Sequence, residues 1–302
     1  MNSKFKVWCG LEDDIGNIEW FSQGVYLLEN PTIVSDFSNS KIQLKGSDKF
    51  SSFSNGRGSL NATYIIPINT NITDAVQSIL NLIGDKTPPI FHSSLLNKKI
   101  PYTITKESSS KLSDLLLELA TIYSSNIFYN SDGVLVMEPD LENSVKSSVW
   151  DYNQDSFQYL GGSLEHKWDE ISNSCKVVGS NVNGATYSSI SYNNNLDSDI
   201  SIPNLGYEMC YLHTSDLLDS NIKCSDLSAF ILKRLTAKQS EISINSIPMY
   251  HISNSDSDVI TITDFNLKLN KERYLVSSLS IPLSFGGNMS LKCIKEKELV
   301  VS

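Results

Sequence analysis

Cysteine, histidine and long apolar runs are all scarce in this sequence of 302 residues, and each scarcity excludes a class of protein. A disulfide framework needs paired cysteines and a tetrahedral zinc site needs close ligand pairs, but no Cys-x-x-Cys pair occurs here. We therefore expect the cysteines to be buried, reduced thiols. They are Cys9, Cys175, Cys210, Cys224 and Cys293.

No stretch reaches the roughly 18 apolar residues that a membrane-spanning helix needs. The first residues, MNSKFKVWCGLEDD, contain a lysine pair but lack the apolar core of a signal peptide. We expect a soluble protein that folds in a cytoplasm and does not insert into a membrane. Its length is enough for two compact modules.

Positive charge is also in short supply. The chain has 24 Lys and Arg against 34 Asp and Glu, which gives a formal net charge of −10 and a pI near 4.9. Most of such a surface repels nucleic-acid phosphates, so a groove that holds DNA or RNA is disfavoured.

Catalytic motifs are missing as well. The four histidines, His92, His166, His213 and His251, are isolated from one another, and none forms the His-Glu-x-x-His pattern of a zinc protease. A surface or hydrogen-bonded histidine is the ordinary interpretation of each. No Gly-x-Ser-x-Gly elbow is present, which removes the usual signature of a serine hydrolase.

Three short motifs contain residues that occur in binding or catalytic sites. Gly56-Arg57-Gly58 could hold an anion, but no Gly-Lys-Ser/Thr follows, so a turn is favoured. Gly161-Gly162-Ser163 has no recognisable base partner. Glu12-Asp13-Asp14 precedes Gly16-Asn17 and could bind calcium, yet it lacks the spacing of an EF-hand loop and fits a turn better. The sequence therefore predicts no catalytic, cofactor-binding or metal-binding residue, and no enzyme.

The first sixty residues alternate with a period of two, which predicts antiparallel strands. Asn30-Pro31 and Asn39-Ser40 are expected to break them. The residues that carry the period are Val25, Leu27, Ile33, Ile42 and Leu44. Gly46-Ser47-Asp48-Lys49-Phe50 follows the second strand pair, and no acid, base or metal partner accompanies it. It is expected to form a corner, with Ser47 and Asp48 bonded to free backbone amides.

Between residues 61 and 145 the pattern changes to that of a small α/β module. A helix is expected from a Thr73 cap, with Asp74 at the positive end of its dipole and Gly84 as its stop. A second helix is expected from a Ser109 or Ser110 cap. Its apolar stripe could bind a partner but is more typical of a core. The stripe is Leu112, Leu115, Leu116, Leu119 and Tyr123.

Two strands around the turn Asn130–Gly133 complete this module, since Asp-Gly steps favour hairpins. After residue 146 the period of two returns, with a turn at Val182-Asn183-Gly184. One more helix is expected at 225–239, capped by Ser225, with Leu227, Phe230, Ile231, Arg234 and Leu235 beneath it. Strand-like segments follow to the end, so the fold class is mainly β with an α+β insertion.

Several of these segments together resemble a known family. The runs KVWCGLEDDIGNIEWFSQGVYLL, KIQLKGSDKFSSFSNGRGSL and YIIPINTNITDAVQSILN are similar to the hub or baseplate proteins of phage tails and phage-tail-like particles in low-GC Gram-positive bacteria. SSSKLSDLLLELATIYSSNIFYNSDGVLVMEPD resembles the small α/β module of such hubs. NSCKVVGSN, SIPNLGYEM and RYLVSSLSIPLSFGGNMSL resemble their second barrel.

The resemblance implies a homotrimeric structural hub with two tail-tube-like β-barrels per chain, six of which form a pseudo-six-fold ring. Residues 1–60 would form the first barrel, completed by strands from about 164–200 or by a neighbouring chain, because only five residues precede its first strand. Residues 61–145 would form the α/β module, and 146–302 the second barrel with a packed helix near 225–239.

It also implies partners and a location. The ring would join a tail tube or distal tail protein above to a spike or fibre below, in a virion or tail-like particle assembled in the host cytoplasm, with DNA only as passing cargo. Two alternatives remain: a tail-associated cell-wall hydrolase, and a distal-tail receptor-binding module that uses exposed aromatics. Packing is the favoured interpretation of the four tryptophans, Trp8, Trp20, Trp150 and Trp168.

Overall fold

A computed structural model gives the protein as two compact units, Met1–Pro139 and Asp140–Ser302. Strands predominate and helices are few, so the predicted fold class is confirmed. Among the described residues, no helix is long and apolar enough to cross a bilayer. The described residues are 3–35, 40–101, 103–139, 147–166, 172–180, 185–215, 218–237, 240–252, 258–284 and 286–295.

The first sheet is built around one very long strand. β1 (Lys4–Glu12), β2 (Ile18–Ser35) and β3 (Ser40–Asp48) are antiparallel in the order β1-β2-β3. β2 has 18 residues, a length of about 60 Å at roughly 3.4 Å per residue. β1 pairs with its first part and β3 with its last part. Only Tyr26 and Leu27 pair with both, so the sheet consists of two ribbons that meet at a short centre.

The predicted strand break at Asn30-Pro31 is wrong, because β2 continues through both residues. The pairing with β3 is irregular between Glu29 and Thr32, and neither Asn30 nor Pro31 has a register partner. Proline lacks the N–H that a ladder needs and is tolerated where a strand has one partner and a bulge. Pro31 therefore interrupts the pairing with β3 without ending β2.

The rest of the first unit combines helices with short strands, and we refer to it as the α/β module. β4 pairs antiparallel with β6, and a second sheet has the order β5-β8-β7. The elements are α1 (Ser51–Ser54), β4 (Tyr64–Ile66), α2 (Ile72–Leu82), β5 (Ile90–Phe91), β6 (Ile104–Lys106), α3 (Leu112–Ile122), β7 (Ser125–Tyr129) and β8 (Leu135–Pro139). The four leucines of the predicted stripe, Leu112, Leu115, Leu116 and Leu119, are buried, which confirms its core role. Its fifth member, Tyr123, follows the end of α3 and is only half-buried.

Both predicted helix caps in this module are wrong. The residues that precede α2 and α3 are Asn71 and Lys111, and neither side chain caps its helix. Each instead forms a backbone bridge to another segment, to Lys99 and Ser59 respectively. Tertiary backbone pairing therefore fixes where these helices start.

The predicted stop and hairpin of the module are present. Gly84 follows α2 with φ +79°, the left-handed conformation that glycine adopts without strain. In the β7–β8 turn, the Asn130 side chain accepts from the amides of Asp132 and Val134, and Gly133 has φ +72°.

A six-stranded, curled half-barrel sheet dominates the second unit, in the order β10-β14-β17-β16-β15-β9. Its strands are β9 (Ser148–Asn153), β10 (Tyr159–His166), β14 (Ser240–Ser246), β15 (Val259–Asp264), β16 (Leu269–Ser280) and β17 (Met289–Lys295). Its core is closed at one end by two tyrosines: Tyr159 donates to the buried carboxylate of Asp264 at 2.6 Å, and Tyr152 lies 3.3 Å from Ser246 Oγ.

A smaller sheet, β12-β11-β13, lies in the same unit and is covered by one helix. Its elements are β11 (Ser174–Ser180), β12 (Thr186–Tyr192), α4 (Ile202–Leu205), β13 (Cys210–Ser215) and α5 (Asn221–Ala237). The turn predicted at 182–184 lies outside the described residues, as does the predicted helix end at Gln239.

The start and inner face of α5 differ from prediction. The helix begins at Asn221, and the Ser220 hydroxyl, rather than that of Ser225, accepts from the Lys223 amide at 3.3 Å. Leu227 is buried as predicted, but Arg234 is exposed and stacks on Phe230. The buried positions are Cys224, Leu227, Ser228, Leu232 and Thr236.

The described strands between residues 159 and 192 pair only with strands of the second unit. The expected boundaries 1–60, 61–145 and 146–302 stay a prediction.

Replacing Leu116 by alanine tests the core of the module. Leu116 has no exposed surface, so the cavity is expected to lower the free energy of unfolding of the first unit by about 2–5 kcal/mol. Leu117→Ala in the same helix is the matched control, since Leu117 is 49% exposed and its loss is expected to change stability by about 0.5 kcal/mol or less. Urea unfolding measures both, and equal effects would contradict the assignment.

Candidate functional site

The four histidines have separate structural surroundings. His92 Nδ1 accepts from the Ser94 amide at the start of a 3-10 turn, and His166 Nδ1 lies 3.1 Å from Ser240 Oγ. His251 packs its ring edge against Trp150, with 5.4 Å between the ring centroids. Burial lowers the pKa of His213. The structure does not bring them together.

The three short motifs that could have formed an anion, catalytic or calcium site lie in turns or within a strand. Gly56-Arg57-Gly58 forms a 3-10 turn in which the Asn55 side chain accepts from the Arg57 amide. Gly161-Gly162-Ser163 lies within β10. Asp13 closes the β1–β2 turn by accepting from the amides of Ile15 and Asn17 at 3.0 and 2.8 Å.

No group of three or more His, Cys, Asp or Glu side chains that could hold a metal occurs in the part of the chain that the structure describes. All five cysteines are free. Cys175, Cys224 and Cys293 are buried as expected, but Cys210 is exposed on β13 and Cys9 is half-buried. Burial of all five was therefore a wrong expectation.

The corner predicted at Gly46–Phe50 is shorter than expected, because Gly46, Ser47 and Asp48 still belong to β3 and only Lys49 and Phe50 form the turn. Asp48 accepts from the backbone amides of Phe50 and Ser51, as predicted, whereas the Ser47 hydroxyl donates to Glu29. Lys49, which sequence reasoning passed over, is 5% exposed. Its ammonium lies 2.5 Å from the carboxylate of Asp85, which is 6% exposed.

Both members of this ion pair make further contacts. Lys49 also donates to the Gly133 carbonyl at 2.7 Å and lies over the Tyr129 ring, 4.7 Å from its centroid. Asp85 accepts from the Tyr129 hydroxyl at 3.0 Å and from the Thr87 amide at 3.2 Å. A buried ion pair is stable only when such additional bonds offset its desolvation.

The pKa values reflect this balance. Burial alone would raise the pKa of Asp85, but the hydrogen bonds from Lys49 and Thr87 outweigh it and hold the pKa below its ordinary value. Burial and the neighbouring Asp85 carboxylate both raise the pKa of Tyr129. Asp85 is therefore ionised and Tyr129 neutral near neutral pH.

This ion pair anchors the first sheet on the α/β module. Lys49 directly follows β3, whereas Asp85 follows α2 and Gly133 lies in the β7–β8 turn. Two surface contacts support the same attachment: Lys6 to Asp132 at 2.8 Å, and the Ser22 hydroxyl to the Ser131 carbonyl at 2.8 Å.

A Cβ on Gly133 would lie 2.7 Å from Val25 Cβ, so the turn must carry glycine to approach the sheet this closely.

Beyond this anchor the two ribbons extend in opposite directions. We define arm 1 as residues 7–24, in the β1–β2 ribbon, and arm 2 as residues 28–35 and 40–46, in the β2–β3 ribbon. Both expose large apolar side chains. On arm 1 these are Trp8, Leu11, Ile15, Ile18 and Trp20; on arm 2 they are Ile33, Val34, Ile42 and Leu44.

The register places three of these side chains on one face of each arm. Trp8, Ile18 and Trp20 share a face of arm 1, because Trp8 pairs with Ser22 and Gly10 with Trp20. Ile33 pairs directly with Ile42, and Leu44 follows on the same face of arm 2. Two-stranded ribbons are marginal in water by themselves, so these arms are suited to binding a further surface.

Packing was therefore the wrong interpretation of two tryptophans. Trp8 and Trp20 are 48% and 59% exposed. On their face of arm 1 the Lys6 ammonium lies 4.3 Å from the centroid of the Trp8 ring and Ser22 contacts the β7–β8 turn, but these contacts leave much of both rings exposed. Trp150 does pack on the core of the six-stranded sheet, and Trp168 lies outside the described residues. A period of two places side chains on faces but does not say which face is covered.

No protein-family model matches the sequence. No curated protein matches it either. Solved structures do match in fold. A tail protein from Neisseria meningitidis MC58 aligns with TM-score 0.68 and 10% identity, over 93% of this chain and 81% of that one. The 43 kDa tail protein of prophage MuSo2 from Shewanella oneidensis aligns with TM-score 0.67 and 13% identity, over 97% and 90%.

A third match is the E. coli c3393 protein, with TM-score 0.53 and 9% identity over 91% of this chain and 61% of that one. It is described as a component of the type VI secretion system that is structurally similar to the T4 tail proteins gp27 and gp5. The chain thus has the fold of phage tail proteins, which confirms the resemblance at the level of fold.

Replacing Lys49 by methionine tests the anchor. It leaves the Asp85 carboxylate buried without its cation, so the free energy of unfolding is expected to fall by about 3–5 kcal/mol. Lys98→Met, at an exposed position of the same unit, is the control. The double variant Lys49→Met/Asp85→Asn is expected to lose less than the sum of its single variants. Strict additivity in urea unfolding would contradict the coupling.

The pH dependence follows from the lowered pKa of Asp85. The contribution of Asp85 to stability is complete above its ordinary pKa of 3.8 and is lost as the pH falls through the lower folded value. The stability difference between the unaltered chain and Asp85→Asn is therefore expected to shrink below pH 3.8. Unfolding at a series of pH values measures it, and a constant difference would refute the assignment.

Proposed function

We propose that this chain is a structural, non-enzymatic hub of a phage tail or phage-tail-like particle. The observation that carries the proposal is the pair of apolar arms, held by a buried ion pair, on a fold shared with phage tail proteins. Arms with free strand edges and uncovered apolar faces are a liability in a monomer but an interface in an assembly.

The proposed assembly is a homotrimer. Each chain supplies two β-rich units, so three chains supply six, enough for a pseudo-six-fold ring. Such a ring would contact a tail tube or distal tail protein on one side and a three-fold spike or fibre on the other. In this proposal residues 1–60, 61–145 and 146–302 act as first barrel, α/β module and second barrel.

The negative net charge supports a conduit role. A formal charge of −10 repels DNA, which suits a ring through which DNA passes without binding. The proposed location is the tail tip or baseplate of a virion or tail-like particle, assembled in the host cytoplasm.

A second candidate is a receptor-binding module of the distal tail. Exposed Trp8 and Trp20, on one face of arm 1, are the kind of aromatic pair on which a sugar ring can stack. This function does not require a ring.

The oligomeric state of the full chain tests the hub. Light scattering after size exclusion, together with native mass spectrometry at tens of micromolar, is expected to give a trimer. A stable monomer would overturn the hub, and a monomer whose binding to cell-wall polysaccharide is lost on Trp20→Ala would favour the second candidate. Trp150→Ala does not serve as the control, because it opens the core; Phe157→Ala, at an exposed aromatic of the second unit, does.

A further inference from the structure

We infer that residues 60–84 and 100–124 are two copies of one structural repeat, and that each copy closes the helix start of the other. Residues 60–84 are called repeat 1 and residues 100–124 repeat 2. Each residue of repeat 1 has its counterpart 40 positions later, as the starts of β4 and β6 at residues 64 and 104 show. Both repeats lie in the α/β module, so their relation does not depend on the proposed hub.

The backbones of the two repeats match position by position. α2 (Ile72–Leu82) and α3 (Leu112–Ile122) have 11 residues each, and each begins at the same interval after a strand of three residues. Asn69 and Ser109 are counterparts, and both have a left-handed φ that is uncommon outside glycine, +66° and +76°. The counterparts that follow the helices, Gly84 and Ser124, also have positive φ, +79° and +46°. The match therefore includes the unusual backbone positions as well as the regular ones.

The buried side chains match as well, although the sequences have diverged. Thr63/Thr103 and Asp74/Asp114 are the identical pairs. Six apolar residues that repeat 1 buries nevertheless have buried apolar counterparts in repeat 2. These pairs are Leu60/Ile100, Ile72/Leu112, Ala75/Leu115, Val76/Leu116, Ile79/Leu119 and Leu80/Ala120. The repeat is thus retained in the pattern of buried positions, which explains why residue identity does not reveal it.

A pseudo-two-fold axis relates the repeats. In the antiparallel β4–β6 pair, Ile65 lies directly opposite Thr105, its own counterpart. Tyr64 then pairs with Lys106, which is the counterpart of Ile66. Such reciprocal pairing of equivalent residues is the property of a two-fold contact. β5 and β7, which follow the two helices, lie on opposite sides of β8 in the second sheet of the module.

The start of α2 is closed by repeat 2. The Asn69 amide donates to the Ile100 carbonyl, and the Ile100 amide donates to the Thr70 carbonyl, both at 2.8 Å. Neither Asn69 nor Thr70 forms these bonds within its own repeat. Ile100 itself is fully buried.

The start of α3 is closed by repeat 1 through the same two bonds. The Ser109 amide donates to the Leu60 carbonyl at 2.8 Å, and the Leu60 amide donates to the Ser110 carbonyl at 3.0 Å. Leu60 is the counterpart of Ile100, so the exchange is reciprocal. It explains why both helices start at a backbone bridge to a distant segment rather than at a side-chain cap.

This exchange supports the anchor of the first sheet. Asp85 directly follows repeat 1, and its amide donates to the Leu80 carbonyl of α2 at 3.0 Å. The other end of α2 is held by Ile100 of repeat 2. The carboxylate that binds Lys49 is therefore positioned by both repeats together, and neither repeat is closed without the other.

Amide hydrogen exchange of the full chain tests the reciprocal closure. Leu60→Pro removes the amide that donates to Ser110, and Ile100→Pro removes the amide that donates to Thr70. Leu60→Pro is expected to speed exchange at the start of α3, at the Leu115 amide, about 10-fold, and to change the Ala75 amide of α2 less than about 3-fold. Ile100→Pro is expected to do the reverse.

Glu107→Ala, at an exposed side chain of the loop before α3, is the control and is expected to change neither amide. Circular dichroism checks that each variant is folded. Where a proline variant is not folded, Leu60→Ala and Ile100→Ala decide, because they keep the amide but shrink the closing side chain and are expected to give the same crossed pattern at about 3-fold. Faster exchange in the helix of the substituted repeat, or equally in both helices, would overturn the reciprocal closure.

Discussion

The first unit depends on one buried cation. The Lys49 ammonium has left water and is held by the Asp85 carboxylate, the Gly133 carbonyl and the face of Tyr129. These partners come from two segments of the α/β module, the residues after α2 and the β7–β8 hairpin, so a single side chain ties the end of β3 to both. An ion pair gains little over apolar packing in energy, but its geometry is specific. Its role here is to fix where the sheet attaches.

That attachment explains how the arms can be both long and poorly covered. The sheet has three paired strands only at Tyr26 and Leu27, beside the β7–β8 turn that carries Gly133. Away from this centre each ribbon has free edges and exposed apolar faces. A rigid centre with two projecting ribbons presents its surfaces at fixed positions, which lowers the entropic cost of binding a partner.

Much of this fold could be predicted from the sequence, because it depends on local pattern. Alternation of apolar residues with a period of two predicted the antiparallel strands, and the leucine stripe of α3 predicted the core of the α/β module. The predictions that were wrong concern features that depend on contacts between residues distant in sequence. Asn71 and Lys111 start helices through backbone bridges, and Pro31 lies inside a strand because that stretch has one neighbour. Lys49 has the sequence context of an ordinary surface lysine. No local pattern predicts its ion pair with Asp85, which lies 36 positions further along the chain.

The exposed tryptophans show the same limit and point to assembly. Alternation predicted that Trp8 and Trp20 lie in strands, but coverage of their face is decided by tertiary or quaternary neighbours. A chain that only had to fold would gain by placing polar residues there, since each exposed apolar side chain on a free ribbon promotes unspecific association. Retaining both rings on arm 1 is therefore consistent with an interface, because a partner that covers them removes this liability.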